Sequence, residues 1–143
     1  MFDRKPKVLV IAGPNGSGKS TITQFFDIVG TYTNADDIVA ATGISNERAA
    51  IQVGKLRYHS IYIKEDFTFE TVLSSRHKLN LLEKARTEGY FIECIFVLTV
   101  DVSVNIARVK ARVAFGGHDV EERLIRERYY QSLDNIKKVI RNL

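Results

Sequence analysis

Residues Gly13 to Ser20 read GPNGSGKS and satisfy the spacing G-x-x-x-x-G-K-[ST] at each fixed position. No other stretch constrains the fold of this chain as tightly, because such a loop works only between a buried strand and a helix. Its glycines let the backbone curl so that successive N–H groups point inward, and the helix that follows adds its positive N-terminal end. Together they form a cradle for the phosphates of a nucleotide. Lys19 is placed to reach the β- and γ-phosphates and the Ser20 hydroxyl to ligate Mg²⁺, while Gly13, Pro14, Asn15, Gly16, Ser17, Gly18 and Thr21 complete the loop.

The flanks have the required character. Lys7 to Ala12 (KVLVIA) is short, apolar and β-branched, as a buried parallel strand is. From Thr21 onward, Ile22, Phe25, Phe26 and Val29 fall at helical spacing, which predicts a helix running to about Val29.

Strand and helix signals alternate along the rest of the chain. They predict an α/β, three-layer fold with a mostly parallel sheet of about four strands flanked by about five helices, as one domain over residues 1–143. A second strand is expected at Tyr32 to Ala35, ending in Asp36-Asp37. Ser45 reads as the N-cap of a long helix to about Lys64. Phe67 to Val72 (FTFETV) is a third strand, and His77 to Glu88 a helix stopped by Gly89. Tyr90 to Val100 carries the strongest strand pattern, and Asp101 or Ser103 can cap a helix through Arg112. Ala114 to Asp119 is a loop. The final helix, from about Val120, places Ile125, Tyr129, Ile136, Ile140 and Leu143 on one stripe. A doubly wound sheet usually adds a fifth strand, and the expectation is that this one lacks it.

With 143 residues, 45% hydrophobic and 27% charged, the composition is that of an ordinary globular domain. The longest apolar run, Ile95 to Val100, is strand-sized, and the N-terminus runs straight into the first strand, so no membrane association is expected. The single cysteine, Cys94, lies inside an apolar run; it excludes an internal disulfide and suits a reducing cytoplasm. The net charge of +4 is spread over mixed-charge helices such as ERLIRERYY, without a basic block, so nucleic acid is not the expected partner.

Several residues have chemistry to offer. Asp36 follows the second strand, and ligands of doubly wound sheets bind at the carboxyl ends of strands. A carboxylate there can take a proton from an attacking hydroxyl or hold Mg²⁺ through water, although the residues alone leave Asp36 and Asp37 equivalent. Glu70 lies within the third strand on the side of Thr68 and Val72, where a carboxylate is costly unless paired or functional. Ser74 and Ser75, just beyond, either hydrogen-bond a substrate or form a turn. Arg108 and Arg112 share a helix face leading into the glycine loop. With His118 they have the makings of a positively charged lid that excludes water and stabilises a transferring phosphoryl group. Arg128 falls near the apolar stripe of the last helix, where an unpaired charge is anomalous.

Five segments occur in the order GPNGSGKS, the NAD triplet at Asn34 to Asp36, FETVLSS at Phe69 to Ser75, RVKARVAFGGHDV at Arg108 to Val120, and RYYQSLDNI at Arg128 to Ile136. In this the chain resembles the zeta-toxin-like P-loop kinases along nearly its whole length. The resemblance implies an ATP- and Mg²⁺-dependent kinase acting on a small-molecule hydroxyl, which in zeta toxins belongs to UDP-N-acetylglucosamine, and an antitoxin protein as the partner to look for. It favours Asp36 over Asp37 as catalytic base, and makes Glu70 a substrate-site glutamate and Arg108 the first lid arginine. The zeta pattern has an arginine four residues beyond that glutamate. Here Ser74 stands in its place, with Arg76 the nearest replacement, and the second lid arginine has its counterpart near His118. Relatives of this kind continue past the final helix into a further strand and loop around the adenine. A nucleotide-binding module without transfer activity is the alternative function, and a nucleic-acid-directed kinase or ATPase a second one.

Overall fold

A computed structural model of the chain describes residues 4–142. Ten elements follow in order: β1 (Lys7–Ala12), α1 (Lys19–Thr23), β2 (Thr31–Thr33), α2 (Ala35–Thr42), α3 (Asn46–Tyr62), β3 (Phe67–Thr71), α4 (Arg76–Thr87), β4 (Phe91–Phe96), α5 (Val102–Ala114) and α6 (Glu122–Asn142). The four strands form one all-parallel sheet in the order β2-β3-β1-β4. The expected α/β class and strand number are therefore what the chain adopts.

The period-two alternation of the strands sorts the two faces of this sheet. Val8, Val10, Ala12, Phe67 and Phe69 lie in the main core with Ile61 of α3, Leu81, Leu82 and Ala85 of α4, and Val139 of α6. Cys94 packs against the same core, and burial pushes its thiol up to about 11, so it behaves as a small apolar residue. The register pairs Ile11 with Glu70 on the opposite face. There the P-loop helix and the segment after it lie over the sheet, tied by Ser20 to Glu70 and by Val29 to Thr68. A second core joins α5 to α6 through Val102, Ile106, Val109, Ile125 and Tyr129.

Three element boundaries and one buried helix face differ from expectation, each for a physical reason. The P-loop helix stops at Thr23 rather than Val29. Its residues 21–23 are all β-branched, the Thr23 hydroxyl bonds back to the Lys19 carbonyl, and the aromatic ring of Phe25 finds no core, being 78% exposed. The chain then passes Asp66 at Gly30, where a Cβ would stand 1.8 Å from the Asp66 carbonyl oxygen. Second, β2 ends at Thr33, because Asn34 caps a helix not expected from the sequence, its side chain accepting from the Asp36 N–H at 3.1 Å. Third, β4 ends at Phe96 rather than Val100. Its only ladder partner among the described residues is β1, which turns away into the P-loop after Ala12, and Val97 N–H to the Ala12 carbonyl at 2.8 Å is the last bond.

The fourth difference is in α6. Its buried face runs through Ile125, Tyr129, Ser132, Asn135 and Val139, whereas Ile140 is exposed and Leu143 lies outside the described residues. Ser132 and Asn135 are inside because the turn after β3 needs donors. Leu73 there is left-handed (φ 57°), and the carbonyls of Val72 and Leu73 accept from Ser132 Oγ at 2.8 Å and Asn135 Nδ2 at 2.9 Å.

Candidate functional site

The carboxyl ends of the strands open into a cleft of about 1080 Å³ that the P-loop crosses. Two glycines there are dictated by space. A Cβ on Gly13 would sit 2.3 Å from the Val97 carbonyl oxygen, and one on Gly16, whose φ is +77°, 2.4 Å from that of Asn105. Buried Asn105 anchors the loop further, its Nδ2 donating to the Asn15 carbonyl at 2.8 Å. Within the described residues the N–H groups of Gly18, Lys19 and Ser20 form no hydrogen bond, and the buried Ser17 hydroxyl has no partner. A run of free donors beside a helix N-terminus is what a phosphate fits.

Lys19 reaches back over the loop, its Nζ donating to the carbonyls of Gly13 at 2.8 Å and Pro14 at 3.2 Å. Burial lowers its pKa to about 8 against the opposing pull of Glu70 and Asp36, and the charge of Arg112 lowers it further. Ser20 donates to Glu70 Oε1 at 3.3 Å. The Tyr32 hydroxyl closes on Glu70 Oε2, and Asn34 Nδ2 donates to the Tyr32 oxygen at 3.2 Å. The buried Glu70 thus couples the P-loop to the end of β2, and desolvation together with this bond raises the Tyr32 pKa.

Asp36, in the first turn of α2, lines the cleft, and its charge is felt at Lys19. Asp37 does not line it, and burial and the charges of Glu70 and Asp36 raise its pKa. On the opposite flank Arg108 Nη1 donates to the Ser17 carbonyl at 3.1 Å, and Arg112 lines the same wall one turn on. Arg128 Nη1 reaches Asn15 Oδ1 at 3.4 Å. Asn15, Gly16, Ser17, Gly18, Thr21 and Ser74 also line the cleft. Gly13 and Pro14 lie buried beneath the loop, outside the lining.

Two candidates are elsewhere. Arg76, the first residue of α4, lines a separate groove with Arg86 and Lys138, because the helix turns it away from the strand ends. His118 is exposed in the loop between α5 and α6 and does not line the cleft.

In their place the structure brings two cations that the sequence reading passed over. Arg57 of α3 is 2% exposed, stacks 4.3 Å over the Phe69 ring and donates from Nε to Thr33 Oγ1 at 2.9 Å and from Nη2 to the Thr33 carbonyl at 3.3 Å. Lys78 of α4 joins it on the cleft wall. Neither forms an ion pair among the described residues. Burial lowers Arg57 to about 10, and burial and then the Arg57 charge lower Lys78 to about 8. A signal for Arg57 was present: Ala49, Val53, Arg57 and Ile61 repeat every four residues, so the arginine interrupts an apolar stripe.

For a metal, the described residues contain no cluster of three or more His, Cys, Asp or Glu side chains. The donor set instead suits a Mg²⁺ shared with a nucleotide, held by the Ser20 hydroxyl with the Glu70 and Asp36 carboxylates nearby. When bound, such an ion neutralises charge on the phosphates.

A parallel sheet, a P-loop after its first described strand and a cleft at the strand ends define a protein of P-loop kinase fold. The chain overlays a chain of the Pnkp1/Rnl/Hen1 RNA repair complex with a TM-score of 0.74 and 21% identity over 96% of its length, spanning about half (47%) of that larger chain. It also overlays a candidate kinase from Chloroflexus aurantiacus with a TM-score of 0.62 and 13% identity, over 80% of this chain and 71% of that one. By sequence the chain belongs to the same family as an uncharacterised protein of Haemophilus influenzae, with 32% identity over 129 residues, 86% of this chain and 92% of that protein. No protein-family model matches it. No described helix is long and apolar enough to cross a membrane.

Proposed function

We propose that the protein is an ATP- and Mg²⁺-dependent kinase that transfers the γ-phosphoryl group to a hydroxyl of a small molecule. The observation that carries this is the convergence on one cleft of a P-loop with Lys19 and Ser20, the Asp36 carboxylate in the first turn of α2, and the Arg108 and Arg112 wall.

In this reading Asp36 accepts the proton of the acceptor hydroxyl as its oxygen bonds to the γ-phosphorus. The bond to the β–γ bridging oxygen breaks, and ADP leaves. Lys19, Arg108 and Arg112 offset the charge on the equatorial and bridging oxygens, and Glu70 fixes the Ser20 hydroxyl. The resemblance to zeta-toxin-like kinases supports a small-molecule acceptor, with a nucleotide sugar of the UDP-N-acetylglucosamine type as one candidate and an antitoxin as a candidate partner.

A second reading, transfer to a hydroxyl of a nucleic acid, follows from the overlay on a chain of an RNA repair complex. The test is to incubate the purified chain with ATP, Mg²⁺ and either a broad metabolite pool or 5′-hydroxyl oligonucleotides, and to read phosphorylated products by mass spectrometry. Product in the first pool supports the proposal, and product only from oligonucleotides supports the second reading. Tight ATP binding with no product in either would leave a nucleotide-binding module.

A further inference from the structure

The mechanism above leaves Arg57 and Lys78 unused. Both line the cleft, on α3 and α4, away from the arginines of α5 and α6 that touch the P-loop. Their place relative to Asp36 is set by backbone. Arg57 is bonded to Thr33, the last residue of β2, and three residues later the chain presents Asp36. Lys78 lies in the first turn of α4, just after the Ser74 and Ser75 that line the same wall.

The arrangement is unfavourable as it stands. A guanidinium 2% exposed, with neutral oxygens and the Phe69 ring but no carboxylate for partners, shares its cleft with a second cation whose protonation it opposes. Thr33 occupies Nε and part of Nη2, which leaves the Nη1 donors without a protein acceptor among the described residues. Ser75, although the N-cap of α4, makes no side-chain capping bond, so its hydroxyl is also uncommitted.

Resting on the kinase reading, we infer that Arg57 and Lys78 form an anion subsite on the acceptor side of the cleft, and that the acceptor is a small alcohol already bearing a phosphate ester. Two adjacent cations match the double charge of a phosphomonoester, and the guanidinium fork with flanking hydroxyls suits its tetrahedral oxygens. The anchored phosphate holds the acceptor hydroxyl at Asp36, converting binding at one end into orientation at the other.

Two arms test this on the full chain. In the first, the P-loop is saturated with a non-hydrolysable ATP analogue and inorganic phosphate is titrated by calorimetry. The parent binds one further phosphate, Lys78→Met binds it at least about tenfold more weakly, and Lys78→Arg restores it. Analogue affinity within twofold in each variant shows an intact fold. No second phosphate in the parent, or equal binding in Lys78→Met, overturns the subsite. In the second arm, transfer is compared between a pool of phosphorylated alcohols and the same pool after phosphatase treatment. Product from the untreated pool alone, with the acceptor KM raised about tenfold or more by Lys78→Met, supports the inference. Product from the treated pool alone, or from 5′-hydroxyl oligonucleotides alone, overturns the acceptor class and leaves transfer standing. Product from neither overturns the kinase reading, and the phosphate titration still decides the subsite.

Discussion

The Ser20 hydroxyl, in the first turn of the P-loop helix, donates to Glu70 of β3 at 3.3 Å, fifty residues away in sequence. This contact binds the phosphate loop to the strand beside it, and the Tyr32 hydroxyl holds the other carboxylate oxygen. In Glu70→Gln the amide keeps one acceptor and turns its other end into a donor that meets the Tyr32 hydroxyl. Hydrogen bonds to charged groups contribute about 1.5–3 kcal/mol, so turnover is expected to fall by about 10- to 100-fold. Steady-state kinetics check this, with the melting temperature reading the fold separately. Unchanged kcat would remove Glu70 from the mechanism.

Gly16 passes against Asn105 with no room for a side chain. Gly16→Ala places a Cβ 2.4 Å from a backbone oxygen at a φ of +77°, so the loop must shift. The left-handed conformation alone costs about 1–2 kcal/mol, and the clash adds to it. Denaturant unfolding is expected to show a loss of at least about 2 kcal/mol, and nucleotide titration a large loss of affinity.

Lys19 and Lys78 both have pKa values lowered to about 8 from 10.5. Between these values the unfolded chain holds protons that the folded chain has released, so stability rises with pH. Above about 9 the raised Cys94 pKa acts in the opposite direction, which confines the clear window to pH 8–9. Melting temperature at constant ionic strength is expected to climb across that window in the parent and to climb less in Lys78→Met. A fall in the parent, or an unchanged slope in the variant, would contradict the burial of these charges.

Asn105 is fully buried and bonded to the Asn15 carbonyl, with Thr99 at its other end. Asn105→Ala leaves the Asn15 carbonyl without its donor while Thr99 keeps the Asp101 carbonyl, at a cost of about 1–3 kcal/mol, and frees the tip of the P-loop. Reduced stability together with a higher KM for ATP is expected. A stability loss with ATP affinity intact would show that Asn105 supports only the helix.

How much of this was legible in the chain depended on range. The P-loop, β1, the Ser45 cap and the Asp101 cap are local patterns, and the structure has them where the residues place them. Helix α2 was missed because Asn34 and Asp36 also suit a turn, and the choice between them is made by the bond from the Asp36 N–H to Asn34. The helical spacing of Phe25, Phe26 and Val29 overextends the P-loop helix because Phe25 and Phe26 are exposed and Val29 is held by its backbone to Thr68 of β3 rather than in a helix. Ser132 and Asn135 break the α6 stripe because they serve a turn sixty residues earlier. Arg57 required noticing a charge inside an apolar repeat, whereas Lys78 carries no local signal: only the topology brings α3 and α4 to one wall.

The most direct test of phosphoryl transfer is the rate of product formation by Asp36→Asn beside its ATP affinity. Asp36 is exposed at the cleft, and its side chain makes no hydrogen bond within the described residues, so the substitution should leave the fold and the nucleotide site in place. Loss of a general base is expected to lower kcat by about 10²- to 10⁴-fold with the Kd for ATP within twofold of the parent. Product formation at the parent rate by Asp36→Asn would contradict it.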